Sequence, residues 1–329
     1  MQYFIEYNLG HKSPSNKKAD KGTICHKVFE ILAEIKLNMQ FGRPYFYDDI
    51  INQVDVSNYN LDTIIDQVYE YYTSHFTHHE WSALDYRDCK KWIYKALDYN
   101  NGMFDPRNRN ILQPEQHFDI EIKKDWAKYN YKTKDGIING NLAIKGTIDL
   151  ITKIDNNTIE IIDWKTGRRL DWATGEEKTL EKLHKDPQLM IYFYAAHHLY
   201  PDIEHIIISI NFINDGGAFS VCFDKSHLFQ VESMLRHKFE TIRRTTKPEQ
   251  HKSWKCNKLC HFGKTTFDNS DYLPIIEYRE NQVTPQGQFM TKCEQIHHDI
   301  NVKGFDVVVD EYTKPGYAVG QYKAPGSAQ

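Results

Sequence analysis

Asp163 and Lys165 stand two residues apart in "TIEIIDWKTGRR" (158–169), where an apolar run gives way to a Thr-Gly turn. Side chains alternate across a strand, so residues i and i+2 share a face, and this acid and base should point the same way. Alone, an Asp-x-Lys pair on a surface strand is a solvated ion pair worth at most about 1 kcal/mol. The preceding segment changes that reading. In "GTIDLITKI" (146–154) Asp149 interrupts an otherwise apolar stretch, and "DNN" (155–157) joins the two segments with a hairpin turn signal. Burying one carboxylate among Ile and Leu is costly, and a second nearby adds like-charge repulsion unless a cation resolves both. Two acids on neighbouring strands plus one lysine therefore describe a divalent-metal site with a basic companion. Mg²⁺ takes oxygen ligands, so Asp149, Asp163 and the peptide carbonyl of Trp164 suffice when phosphate supplies the rest. Such an ion activates water and neutralises charge developing on phosphorus, while Lys165 orients that water or stabilises the transition state. The expected chemistry is phosphodiester hydrolysis.

Several elements must hold these residues in place. "SNKKADKGTICHKVFEILAEIKLNMQFG" (15–42) has Ile24, Val28, Ile31, Leu32 and Ile35 at helical spacing, with Gly42 as a stop and His26 and Glu30 one turn apart. Further helices are expected at 61–76 and 83–100, before "NNGMFDPRNRN" breaks the pattern. From about 115 the period becomes that of strands, at 115–124, 142–154 and 158–166. A charged loop (167–186) leads to "PQLMIYFYAAHHLY" (187–200), where Pro187 suits a helix's first turn. Strands at 205–213 and 218–223 and a helix at 225–246 follow. Helix, three strands, helix, two strands, helix predicts an α/β domain around a central mixed sheet. The expected organisation is a helical region at 1–112, a core at 113–265 and an irregular C-terminal extension at 266–329.

With 329 residues the chain can bury a large core, and 40% hydrophobic residues exclude collagen-like and wholly disordered classes. A net charge of -4 excludes coating nucleic acid by bulk attraction, so a polyanion partner must be met at a local site. About 18 consecutive apolar residues occur nowhere and the N-terminus lacks a secretory pattern, so a soluble cytoplasmic protein without membrane contact is expected. Six unevenly spaced cysteines do not make a disulfide framework. No "GxxxxGK[ST]" occurs in the chain, so it encodes no P-loop motor.

Four motifs stand in one order: "GTICH" (22–26), "GTIDLI" (146–151), "IIDWKTG" (161–167) and "PQLMIYFYAA" (187–196), with the two aspartates 14 positions apart (163 minus 149). Together they resemble the RecB-type exonuclease branch of the PD-(D/E)xK nuclease superfamily over about residues 10–262. The resemblance implies a restriction-endonuclease-like core, with Asp149 and Asp163 as metal-binding acids, Lys165 as the catalytic lysine and His26 completing the metal shell. It makes Gln188 and Tyr192, four apart on one helix face, a pair that supports the site and contacts nucleic acid. Glu115 resembles the glutamate that begins the first core strand in relatives, with Glu121 as the rival position. Without the family motifs, His26, Gln188 and Tyr192 would read as ordinary core or surface residues. Mn²⁺ is expected to serve as well as Mg²⁺, because histidine favours softer ions. The implied function is a metal-dependent DNA nuclease, by branch an exonuclease on single-stranded DNA or duplex ends, in recombination or repair; a chain of this size without a motor also suits a phage or mobile element. The rival readings are an inactive nucleic-acid-binding protein of the same fold and a phosphoesterase acting on RNA or nucleotides.

The pattern departs from some relatives in one region. "SWKCNKLCHFGK" supplies Cys256 and Cys260 where those relatives bind an iron-sulfur cluster with four thiolates, one of them upstream of the histidine motif. Here Cys25 adjoins His26 and the next cysteine is Cys293, so a cluster is not expected; zinc with His261 is an alternative to a reduced packing pair. Arg168, Arg169 and Lys178 in the charged loop are candidates to meet phosphates, or else form a solvated loop. The Tyr- and Lys-bearing C-terminal residues suggest either a partner-binding tail or a packed or disordered extension.

Overall fold

The computed structural model describes residues 1–133, 136–170, 176–245, 247–258, 260–263 and 291–317. Two compact units are present, one formed by Asn16–Thr241 and one by Met1–Ser15 with Ile242–Gln329.

In the larger unit, helix α1 (Lys17–Gln40) starts at Asn16, whose side chain accepts from the Ala19 N–H. A short hairpin, β1 (Tyr45–Asp48) and β2 (Asn52–Asp55), precedes α2 (Leu61–His75) and α3 (Ala83–Leu97), the latter opened by a Ser82–Asp85 capping box. Strand β3 (Ile111–Glu121) is followed by the hairpin β4 (Lys128–Thr133) and β5 (Gly136–Asn141), then β6 (Ala143–Lys153) and β7 (Thr158–Lys165). Next come α4 (Leu180–His184), α5 (Pro187–Leu199), β8 (His205–Phe212), β9 (Gly217–Asp224) and α6 (Leu228–Arg244). The five long strands form one sheet in the order β3-β6-β7-β8-β9; β7 and β8 run parallel and the other neighbours antiparallel. A parallel pair needs a crossover, which α4 and α5 supply.

Apolar layers cover both faces of this sheet. Leu150, Ile162 and Trp164 pack with α1, α2 and α3, whereas Ile151, Ile161, Ile208 and Val221 pack with α5 and α6. The helix–sheet–helix arrangement is the expected α/β restriction-endonuclease-like fold with a mixed central sheet and N-terminal helices. The 112/113 boundary drawn from the period change falls inside this unit, since α1 to α3 share a core with the sheet. The strand expected at 115–124 starts four residues earlier and includes Pro114, which an edge strand tolerates. Two small hairpins were not legible, because β5 is largely exposed and shows no apolar alternation.

The smaller unit has its own core of Phe4, Ile5, Leu9, Phe262, Ile296, Ile300 and Val308. Part of the stretch expected to be irregular is helical: after α7 (Trp254–Lys258), α8 (Lys292–Lys303) opens with a Thr291–Glu294 capping box, and α9 spans Phe305–Tyr312. Tyr312 Oη donates to Asp299 at 2.6 Å, and Lys314 N–H donates to the Leu9 carbonyl at 2.8 Å. Neither helix carries a long apolar stripe, so periodicity does not mark them.

Candidate active site

Strand register gathers the acids. Pro114 pairs with Leu150 and Gln116 with Ile148, which sets Glu115 opposite Asp149 on adjoining strands. Leu150 pairs with Ile162, and the same register carried one residue further sets Asp163 opposite Asp149. Glu115, Asp149 and Asp163 thus form one row across β3, β6 and β7. The backbone departs from regular strand at this row. Glu115 has φ +42, in the left-handed region that a glutamate rarely adopts. The alternation of β6 also changes over at Asp149, since Ile148 packs in the α5 layer and Leu150, two residues on, in the α1 layer.

Helix α1 closes on the row from one side. His26 Nδ1 lies 3.2 Å from Asp149 Oδ2, and the Trp164 N–H donates to the same oxygen at 3.2 Å. The Trp164 ring is buried against Phe29, one turn after His26 on α1, with centroids 4.8 Å apart. Gly22 explains how the helix comes so near: a Cβ there would meet Thr166 Oγ1, just past Lys165, at 2.9 Å. The glycine of "GTICH" is therefore a close-approach glycine, kept in a helix interior despite costing about 1 kcal/mol relative to Ala.

Lys165 Nζ pairs with Asp163 Oδ1 at 2.8 Å, as the alternation of β7 requires. Helix α5 adds Gln188 and Tyr192, whose side chains meet at 2.8 Å with Gln188 Nε2 donating to the tyrosine oxygen. Asp186 caps this helix by accepting from the Gln188 N–H at 2.9 Å, and its carboxylate also pairs with Lys178. A cleft of about 230 Å³ opens beside Lys165, lined also by Arg168, Lys178, Asp186 and Gln188. Arg169 sits otherwise, paired with Glu177 and stacked over Phe219 at 4.0 Å.

The electrostatics follow from burial. Asp163 is 0% exposed, and its Oδ2 has no hydrogen-bond partner among the described residues. Burial pushes its carboxyl above the usual range, against the pull of Lys165. Burial also works against Asp149, but His26 and the Trp164 N–H hold that carboxyl below the usual range. Glu115 is pushed up to about 8 by burial and by Asp149. For His26, burial opposes the charge, yet Asp149 raises the imidazole to about 9. Burial likewise opposes the Lys165 ammonium, and Asp163 and Asp149 together hold its affinity for the proton above the ordinary value. Burial raises the Tyr192 phenol far out of reach, so it stays protonated. A row of three acids that draws two protonated bases toward it, and still leaves one buried carboxylate oxygen unpartnered, is a donor set that fits a divalent cation.

The structure therefore brings together His26, Glu115, Asp149, Asp163, Trp164 and Lys165, with Gln188 on the cleft that Lys165 also lines and Tyr192 bonded to Gln188. It separates Glu121, which pairs opposite Ala143, about 20 Å along the strand from Glu115. Trp164 contributes through its backbone N–H and its buried ring. Asp186 joins the site without belonging to any of the four motifs; its position directly before Pro187 is the signal of a helix cap. Cys25 is a core residue whose Sγ faces the Cys89 carbonyl at 3.8 Å. In the smaller unit, Cys260 and Cys256 act on Cys293, whose thiol burial pushes up to about 11.

No helix among the described residues is long and apolar enough to cross a membrane. No curated protein matches the sequence. A family model of the PD-(D/E)XK nuclease superfamily matches residues 1–264, a span that contains every residue of the row, its lysine and the helices that flank it. On that match, and with the sheet and acids arranged as described, the chain belongs to the PD-(D/E)XK nuclease superfamily.

Proposed function

We propose that this protein is a divalent-metal-dependent DNA nuclease of the RecB-type branch, acting as an exonuclease on single-stranded DNA or duplex ends in recombination or repair. The observation that carries the reading is the row Glu115–Asp149–Asp163 with Lys165 two residues beyond its last member. His26, Glu115, Asp149, Asp163 and the Trp164 carbonyl would hold Mg²⁺ or Mn²⁺, which when bound supplies Lewis-acid activation of water and neutralisation of charge on phosphorus. His26 must give up its proton to act as a ligand, so metal and proton compete for the imidazole. The Lys165 ammonium, released from Asp163, is placed to meet charge that builds on the scissile phosphate. Arg168 and Lys178, on the wall of the adjoining cleft, meet flanking phosphates. Gln188 is locked to Tyr192 and presents its amide on the same cleft, which orients the strand rather than moving protons.

End-labelled single-stranded DNA, duplex DNA and RNA, each incubated with Mg²⁺, Mn²⁺ or EDTA, test this reading. Release of nucleotides from DNA ends with either metal, absent in EDTA and from circular DNA, is the expected result. Cleavage of circular single strands would replace exonuclease by endonuclease action. Cleavage of RNA alone would move the assignment to an RNA phosphoesterase, and binding without cleavage would leave an inactive nucleic-acid-binding protein. Activity surviving both Asp163→Ala and Lys165→Ala would remove the site from the reaction.

A further inference from the structure

A second convergence of metal-binding side chains lies on another face of α1. Asp20, in the first turn of the helix, is only 3% exposed, and the turn between α2 and α3 brings two consecutive histidines to it. His79 Nε2 lies 2.8 Å and His78 Nε2 3.4 Å from the same carboxylate oxygen, Oδ2. The two imidazole rings stand 4.1 Å apart, and one donor atom from each of the three residues lies within 4.8 Å of the others. It is the one His/acid trio of this kind among the described residues.

This cluster is separate from the acid row. Asp20 and His26 are six residues apart on a helix of about 100° per residue, so they face directions about 120° apart and lie about 9 Å apart along the axis. The nearby ammonium groups are already matched: Lys17 and Lys21 pair with Asp85 at 2.6 and 3.1 Å, and Lys21 also with Asp88 at 2.8 Å. The turn that bears the histidines is fixed at both ends. His79 N–H donates to the Phe76 carbonyl at 3.3 Å, Trp81 Nε1 donates to the same carbonyl at 3.1 Å, and Lys17 reaches the Glu80 carbonyl.

Spacing and donor types together narrow the choice of ion. With bonds of about 2.0–2.1 Å, donors at the corners of a tetrahedron stand about 3.4 Å apart, close to the separations of 2.8 and 3.4 Å between the imidazole nitrogens and Asp20 Oδ2. Two imidazole nitrogens and one carboxylate suit Zn²⁺, whereas Mg²⁺ prefers an octahedron of oxygens. His78 is exposed enough for water to complete the fourth position. We propose that Asp20, His78 and His79 form a zinc site that clips the α2–α3 turn to the start of α1, the helix that presents His26 to the acid row.

Untagged full-length protein, stripped with EDTA, reloaded with zinc in the presence of excess Mg²⁺ and desalted, provides the test. One zinc per chain by elemental analysis is expected, with visible absorption of tetrahedral type when Co²⁺ replaces it. Zinc should raise the melting temperature by about 5 °C or more at saturating concentration. Asp163→Ala and the double variant Cys256→Ser/Cys260→Ser should keep this zinc, while His78→Ala and His79→Ala should lose it and the thermal gain. His78 is half-exposed, so its replacement keeps the experiment readable if His79→Ala folds poorly. Zinc retained by His78→Ala, zinc lost only with Asp163 or with the two cysteines, or no zinc on the wild-type chain would each overturn the proposal. A histidine–aspartate hydrogen-bonded cluster without a metal would give the last of these results.

Discussion

Glu115 shows most clearly how the site stores unfavourable interactions that a metal would relieve. It combines left-handed backbone with a carboxyl pushed up to about 8 by burial and by Asp149. Its unfolded value is 4.5, so in metal-free protein its contribution to stability is complete below pH 4.5 and lost as pH rises through 8. Thermal melts in EDTA should show the wild type losing several degrees between about pH 5 and pH 9, and Glu115→Gln losing less. An unchanged slope in the variant would place the pH dependence elsewhere. Lys165→Met removes the ammonium but keeps the stem, and should slow cleavage by about 10²–10³-fold with little change in melting temperature. Steady-state rates beside melting curves check that separation.

Gly22 and Thr166 set the distance between α1 and the end of β7. Gly22→Ala brings a Cβ to 2.9 Å from Thr166 Oγ1, so the Thr166 side chain, the helix or the strand end must shift. Helix propensity alone predicts a gain of about 1 kcal/mol from this change, so lost activity in a chain that still folds would trace to the α1–β7 contact beside His26 and Lys165 rather than to a damaged helix. Adding Thr166→Ala removes the obstructing oxygen and should restore part of the rate. At the start of α5, Asp186→Ala deletes a cap worth about 1 kcal/mol, whereas Asp186→Asn keeps an acceptor for the Gln188 N–H. Denaturant melts should rank wild type and Asp186→Asn close together and Asp186→Ala lower.

On the scale of the molecule, the two layers of core around the sheet draw only on residues of the larger unit, from Ile24 to Leu235, while the smaller unit closes its own core with Phe4, Phe262 and Ile296. Every residue assigned to the acid row, the cleft and the zinc cluster belongs to the larger unit. A chain limited to residues 16–245 should therefore melt in one cooperative step and retain metal-dependent cleavage, as measured by circular dichroism and the end-labelled DNA assay. Loss of folding in that chain would show that the terminal segments are required for the stability of the sheet.

The sequence by itself determined the sheet-and-helix class, the grouping of Asp149, Asp163 and Lys165, and the first turn of α5 at Pro187. Those features are local: strand alternation ties 163 to 165, a hairpin turn joins β6 to β7, and helical spacing ties Gln188 to Tyr192. Tertiary structure alone decided what depends on pairing between distant segments. It set Glu115 and not Glu121 opposite Asp149, because that depends on the register of β3 on β6. It brought His26 to Asp149 across 123 residues (149 minus 26), and it gathered Asp20, His78 and His79 from a helix and a turn that no short-range period relates. Contact between segments far apart in a chain follows from packing of the whole core, which local periodicity does not encode.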